Sequence, residues 1–183
     1  MAKRICVFGS YKKLDKKSQD IIKLGRLLAE RDFEVITGGF GGTMEDISRG
    51  AKEAGGKTIG VTYYRYADTA KKPNKYIDRE IKTKNIFERI NVMMKESNGF
   101  IVLPGGTGTL LELAAVLEHI NKGLMQPKPI IALGDYWKNV AEILAEEVIL
   151  NKTVKASSDI LSCRDLITFV DTPEEAVDAL LDR

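Results

Sequence analysis

The sequence predicts a doubly wound α/β domain built on a parallel, Rossmann-like sheet. Three observations carry that expectation. Apolar runs of strand length alternate with segments of helical period along the chain. The runs are continuously apolar, as strands buried on both faces are, rather than alternating. Two of them lead straight into glycine clusters. With 183 residues there is room for one substantial core and not for two ordinary domains, so residues 1–183 are read as a single domain.

The elements follow in order. Ile5–Phe8 is a short β-rich run. Ser18–Glu30 carries apolar residues at Ile21, Ile22, Leu24, Leu27 and Leu28, which share one helical face. Phe33–Thr37 is the second strand, followed by Gly38-Gly39-Phe40-Gly41-Gly42 and a helix reaching about Ala54. Lys57–Val61 is the third strand, and the polar, aromatic stretch 62–76 reads as a loop. A helix over Lys82–Glu96 leads to strand Gly99–Leu103. Pro104-Gly105-Gly106-Thr107-Gly108 then opens a helix running to about Lys122. Strand Pro129–Leu133, a helix from about Trp137, a polar loop over 150–163 and strand Leu166–Val170 complete the sheet. Thr172-Pro173-Glu174-Glu175 closes the chain with an N-cap, a proline at the first helical position and the glutamate of a capping box.

Composition narrows the function classes. Apolar residues make up 44% and charged residues 30%, the balance of a globular domain rather than a disordered or fibrous chain. The formal net charge of +2 argues against a dedicated nucleic-acid binder. Two cysteines, Cys6 and Cys163, are too few and too far apart for a disulfide framework, and the single His119 excludes a multi-histidine metal site. No apolar run has the length of a membrane span and the N-terminus does not read as a signal peptide, so a cytoplasmic protein without a membrane partner is expected.

Doubly wound sheets bind ligands at the carboxyl ends of their strands, above all where the strand order reverses. The standard phosphate motifs are absent. The first strand is followed only by Gly9-Ser10, not by G-x-G-x-x-G, and the 38–42 cluster has the wrong spacing for it. Gly56-Lys57-Thr58 lacks the upstream glycine of a P-loop, where Ala51 stands, and it runs into a strand. What remains is coherent chemistry. Glycines let backbone N–H groups approach an anion, and a helix N-terminus adds unsatisfied donors and a positive dipole end. Gly38, Gly39, Gly41, Gly42 and Thr43 before one helix, and Gly105, Gly106, Thr107, Gly108 and Thr109 before another, are candidates for one phosphate cradle, with Gly9 and Ser10 beside them. Glu112 lies one turn into the second helix. Arg89 lies seven residues before the end of the preceding helix, about two turns up at ~1.5 Å per residue, so an Arg–Glu pair at the pocket is geometrically open.

The run Pro104-Gly105-Gly106-Thr107-Gly108-Thr109-Leu110-Leu111-Glu112 resembles the P-G-G-x-G-T-x-x-E motif of the LOG family, cytokinin-activating phosphoribohydrolases often labelled "lysine decarboxylase". Arg89, Met93, Ser97 and Phe100 stand at that family's spacing upstream, and Gly38-Gly39-x-Gly41-Gly42-x-Met44 with Ala54-Gly55-Gly56 is similar to its first glycine loop and helix. The likeness spans roughly Ile5 to Trp137. Ile90 stands where the family has lysine, Phe8-Gly9-Ser10-Tyr11 replaces C-G-S-S, and Leu111 replaces a frequent glutamate. The Gly-Gly-x-Gly-Gly-Thr-Met-Glu stretch also resembles the branch containing molybdenum-cofactor carriers, which bind a phosphorylated pterin without transforming it.

The resemblance implies cleavage of the N-glycosidic bond of a nucleoside 5′-monophosphate to free base and ribose 5-phosphate. It implies Glu112 as the carboxylate that steadies an oxocarbenium-like state and orients or deprotonates water, and Arg89 as the cation that positions the nucleotide. No metal and no organic cofactor is expected, and no pyridoxal-phosphate lysine site is identifiable. The alternative is a non-catalytic nucleotide or pterin-phosphate carrier using the same cradle. A homodimer is expected, both from the resemblance and because Ile86, Phe87, Val92, Met93, Leu113, Val116 and Leu117 make the central helices rich in apolar side chains.

Four further features are weighed. His119 is read as a packing or surface residue, Cys6 as core, and Trp137 as the anchor of a helix start. Residues 71–89 hold seven basic side chains (Lys71, Lys72, Lys75, Arg79, Lys82, Lys84, Arg89) against three acidic ones. That imbalance fits a solvated face or an anion-steering rim equally well. Tyr63, Tyr64 and Tyr66 are candidates for stacking on a base or for surface packing.

Overall fold

The structure is a computed structural model that describes residues 3–63, 72–157 and 162–181, with the side chains of 155–157 left aside. Its strands are β1 (Arg4–Phe8), β2 (Glu34–Thr37), β3 (Thr58–Tyr63), β4 (Arg79–Thr83), β5 (Gly99–Val102), β6 (Ile130–Leu133) and β7 (Ile167–Val170). They form one sheet in the order β4-β3-β2-β1-β5-β6-β7, every pairing parallel. The helices are α1 (Ser18–Glu30), α2 (Thr43–Glu53), α3 (Ile86–Glu96), α4 (Thr107–Asn121), α5 (Lys138–Ile143), α6 (Lys152–Ser157) and α7 (Pro173–Leu181).

Alternating residues of each central strand feed two cores. On one face Ile5 and Val7 of β1 and Ile101 of β5 meet Ile21, Leu24 and Leu28 of α1, Ile47 of α2 and Val177 of α7. On the other, Cys6 and Phe8 of β1 and Phe100 and Val102 of β5 meet Met93 of α3, Leu113 and Val116 of α4, and Ala141 of α5. Helices on both faces of a parallel sheet are the doubly wound arrangement that the continuous apolar runs predict. The order reverses at β1, which pairs with β2 on one side and β5 on the other. The crevice at that point is where both glycine loops emerge.

Three boundaries differ from expectation. Residues 79–83 form an edge strand, β4, which ends two residues inside the helix expected from Lys82. Arg-Glu-Ile-Lys-Thr offers one apolar residue, and charged side chains on an exposed edge are how such strands avoid pairing with other chains. The helix after it therefore starts at Ile86, capped by Asn85, whose Oδ1 accepts from the N–H of Glu88 at 2.8 Å, while Glu88 Oε2 accepts from the N–H of Lys84. The expected loop 150–163 contains α6. Elsewhere the signals hold: the Thr172 hydroxyl accepts from the N–H of Glu175 at 3.2 Å, capping α7 as expected. Cys6 is fully buried, and Trp137 stands at the N-cap of α5 with its Nε1–H donating 2.9 Å to the carbonyl of Leu103.

Candidate functional site

Arg89 and Glu112 reach the crevice from two helices on one face. Arg89 is the fourth residue of α3 and Glu112 the sixth of α4. Their side chains are 9% and 7% exposed and form an ion pair, Arg89 Nη1 to Glu112 Oε1, at 3.0 Å. The guanidinium is held from a second direction by its Nε–H, which donates 2.8 Å to the carbonyl of Val61 at the end of β3. Its Cζ lies 6.0 Å from the centre of the Phe40 ring, at the limit of a cation–π contact. Gly38 leaves the room this needs: a Cβ there would overlap Nη2 of Arg89 and stand 2.7 Å from the sulfur of Met44. Arg89 is thus fixed in place rather than free to swing toward a pocket mouth.

Burial dominates the charge state of Glu112. Desolvation pushes its carboxyl up from about 4.5, the charge and hydrogen bond of Arg89 pull it back, and it settles at about 7. Its second oxygen makes no hydrogen bond among the described residues. A buried carboxyl that changes protonation near neutrality, beside a fixed cation, can take a proton from water or carry negative charge where a cation develops.

The two glycine loops are not equivalent. At the first, the N–H and the hydroxyl of Thr43 both donate to the carbonyl of Ser10, each at 3.0 Å, and Thr43 is fully buried. Gly42 has φ +68°, and any side chain on it would run into the backbone of Ser10 and Tyr11. Gly9 packs against the Thr43 hydroxyl. Thr43, Gly9 and Ser10 therefore tie β1 to the start of α2. The second loop is open. Gly106, Thr107 and Gly108 are exposed at the N-terminus of the fifteen-residue α4, Gly105 is half-buried, and Thr109 is buried beneath Gly105. The exposed start of α4 therefore presents its unsatisfied N–H groups and the positive end of the helix dipole at the surface.

Other sequence candidates lie apart. His119 sits on α4 about two turns from Glu112, with Nδ1 2.7 Å from the carbonyl of Ala115. Tyr63 ends β3, half-buried, while Tyr64, Tyr66 and Lys71 lie outside the described residues. Three residues absent from the sequence candidates prove to adjoin the loops: Phe40, Asn74 and Tyr136. The Asn74 amide donates 2.9 Å to the carbonyl of Phe40, and the Tyr136 hydroxyl 2.8 Å to that of Gly105. An aromatic held between two glycine pairs was the available signal for Phe40; nothing local singled out the other two.

The family profile described as "Possible lysine decarboxylase" matches residues 44–180. Among relatives, a "Probable cytokinin riboside 5′-monophosphate phosphoribohydrolase" of Oryza sativa subsp. japonica is 29% identical, the match covering 97% of this chain and 70% of that protein. A cytokinin riboside 5′-monophosphate phosphoribohydrolase of Arabidopsis thaliana is 27% identical over 97% of this chain and 81% of its own. Among solved structures, the molybdenum cofactor binding protein of Rippkaea orientalis superposes with a TM-score of 0.75 at 24% identity, covering 100% of this chain and 97% of that one. The Moco carrier protein of Chlamydomonas reinhardtii gives 0.72 at 25% identity, with coverage of 100% and 97%. With three-quarters of its length inside the profile, the chain belongs to the "Possible lysine decarboxylase" family, the one that holds the LOG phosphoribohydrolases.

Proposed function

We propose that the protein hydrolyses the N-glycosidic bond of a nucleoside 5′-monophosphate, releasing the free base and ribose 5-phosphate. The carrying observation is the buried Arg89–Glu112 pair at 3.0 Å with the carboxyl set near 7. The 5′-phosphate docks on the open start of α4, at Gly105–Thr109, with the N–H groups of the 38–42 loop across the β1 crevice completing the cradle. As the bond to the base breaks, its electron pair leaves with the base and positive charge grows on the ribose ring. Ionised Glu112 stabilises that charge and takes a proton from the attacking water, whose oxygen bonds to the anomeric carbon; the proton ends on the base. Arg89 keeps Glu112 aimed and offsets its charge between turnovers. The similarity to phosphoribohydrolases over nearly the whole chain supports this reading.

The second reading is a carrier of a phosphorylated pterin or nucleotide, favoured by the fold match to the two molybdenum-cofactor proteins. In either case the ligand is a phosphorylated small molecule. Incubation with a panel of nucleoside monophosphates, assayed for free base and ribose 5-phosphate, separates the two: the hydrolase releases both products, the carrier neither. Turnover of adenosine equal to that of AMP would remove the phosphate cradle from the mechanism.

The assembly belongs to the same proposal. Met93, Leu113, Val116 and Leu117 are spent on the chain's own core, but Phe87 on α3 is 72% exposed, and Leu110 and Leu111 are exposed on α4. These three side chains are the apolar contribution of α3 and α4 to a homodimer contact. No helix among the described residues is long and apolar enough to cross a membrane.

A further inference from the structure

Two side chains from outside the glycine loops hold the loops' carbonyls. Asn74, in the segment between β3 and β4, donates from its backbone N–H to the carbonyl of Gly39 at 2.8 Å, and from its amide to that of Phe40 at 2.9 Å. Its own Oδ1 is fixed by the N–H of Tyr76 at 3.1 Å. Tyr136, just beyond β6, donates its hydroxyl to the carbonyl of Gly105 at 2.8 Å. Its ring stands edge-on to Trp137 with centroids 5.0 Å apart, and Trp137 is itself bonded to Leu103 at the end of β5. In the order β3-β2-β1-β5-β6, Asn74 arrives from the β3 side of the β2 loop and Tyr136 from the β6 side of the β5 loop. The two therefore grip the loops from opposite flanks of the β1 crevice.

The consequence follows from peptide geometry. Every described peptide is trans and planar, so each C=O points opposite to the N–H of the next residue. Glycine-rich peptides flip readily between two such orientations, and only one aims the N–H at a bound anion. A donor that holds the carbonyl on the outer flank fixes the N–H on the other side. The geometry points to Asn74 and Tyr136 as positioning residues of the phosphate cradle: Asn74 sets the N–H groups of Phe40 and Gly41, and Tyr136 sets that of Gly106. This rests on the phosphate site of the proposed function but not on hydrolysis.

The test uses the full chain, with inorganic phosphate and AMP as probes and adenosine as the phosphate-free control. Tyr136→Phe removes one oxygen from a side chain that is 55% exposed, so the fold is retained. Loss of one such hydrogen bond predicts roughly 3–10-fold weaker phosphate and AMP binding, with adenosine unaffected and the loss in turnover falling on KM. The amide NMR response of Gly106 to phosphate should shrink while that of Gly41 persists. Asn74→Asp keeps the shape and the backbone N–H that holds the Gly39 carbonyl, but its carboxylate cannot donate to the carbonyl of Phe40, so it should reverse the pattern, blunting Gly41 and sparing Gly106. Wild-type phosphate affinity in both variants, or equal weakening of AMP and adenosine, overturns the assignment. So does a wild type that binds neither phosphate nor AMP. A wild type that binds AMP without releasing base refutes the hydrolase reading alone and leaves the amide experiment fully decisive for the latches.

Discussion

Replacing Gly38 with alanine puts the Arg89 arrangement under direct strain. The new methyl would overlap Nη2 of Arg89 and approach Met44 Sδ to 2.7 Å. A long side chain can often swing clear of such a clash, but Arg89 is only 8% exposed and is bonded to the Val61 carbonyl at 2.8 Å and to Glu112 at 3.0 Å. Moving the guanidinium breaks at least one of these and leaves a buried carboxyl without its cation. Breaking a buried pair from one side costs about 3–5 kcal/mol. Part of that is relieved because Glu112 can bind a proton, so we expect a loss of about 2–4 kcal/mol at pH 8 and less at pH 5. Base release should fall by at least ~100-fold at pH 7, since the displaced cation no longer keeps Glu112 ionised. Gly108→Ala is the control for stability alone, since it lies in the proposed phosphate site: nothing lies within 4 Å of its Cβ, and alanine inside a helix is favoured over glycine by about 0.5–1 kcal/mol. Urea denaturation at the two pH values, with single-turnover base release, measures both effects. Wild-type stability and rate in Gly38→Ala would show that Arg89 is not held as described.

Five further outcomes are expected. Glu112→Gln keeps the side-chain shape but not the charge, so base release should drop at least ~100-fold while AMP affinity changes little by equilibrium binding. Arg89→Ala should weaken affinity and rate together, because it removes a cation that also orients Glu112. The rate of the wild type should rise with pH through about 7 as Glu112 ionises, a limb absent from Glu112→Gln. Stability should move the other way: the folded state holds a proton on Glu112 between about 4.5 and about 7 that the unfolded chain releases, so stability falls as pH climbs through that window, by on the order of 3 kcal/mol. Sedimentation equilibrium should give twice 20.3 kDa, and Phe87→Glu should return the 20.3 kDa species.

The parts of the fold legible in the sequence were those encoded by continuous apolar runs. Strands β1, β2, β5 and β6 are buried on both faces, so nearly every residue in them reports the burial. Strand β4 was illegible for the opposite reason: among the described residues it pairs with β3 alone, and its charged residues describe an exposed edge rather than a strand. The Asn85-x-x-Glu88 cap was the local signal that could have placed the start of α3 correctly. At the candidate site, spacing alone left an Arg89–Glu112 pair open and the family resemblance singled the two out, yet the carbonyl of Val61 and the space above Gly38 that fix Arg89 come from elements far along the chain. The split between a tied first loop and an open second one was also hidden, because it depends on Thr43 donating twice to Ser10 across a gap of 33 residues.

That split bears on the choice between enzyme and carrier. Capture of a phosphorylated ligand calls for donors and cations, and the open start of α4 supplies donors without help from any carboxylate. In a pure carrier, a buried arginine beside the cradle would serve best with its charge free to face the phosphate. Here the guanidinium is committed to the Val61 carbonyl and to Glu112, and the pair together presents no net charge when both members are ionised. Glu112 also lowers stability once it ionises, since burial has raised its pKa. A costly carboxyl that weakens the attraction for an anion makes physical sense where the ligand develops positive charge after it is bound. Glycosidic cleavage does that, with the ribose ring turning cationic while the phosphate stays anchored on α4.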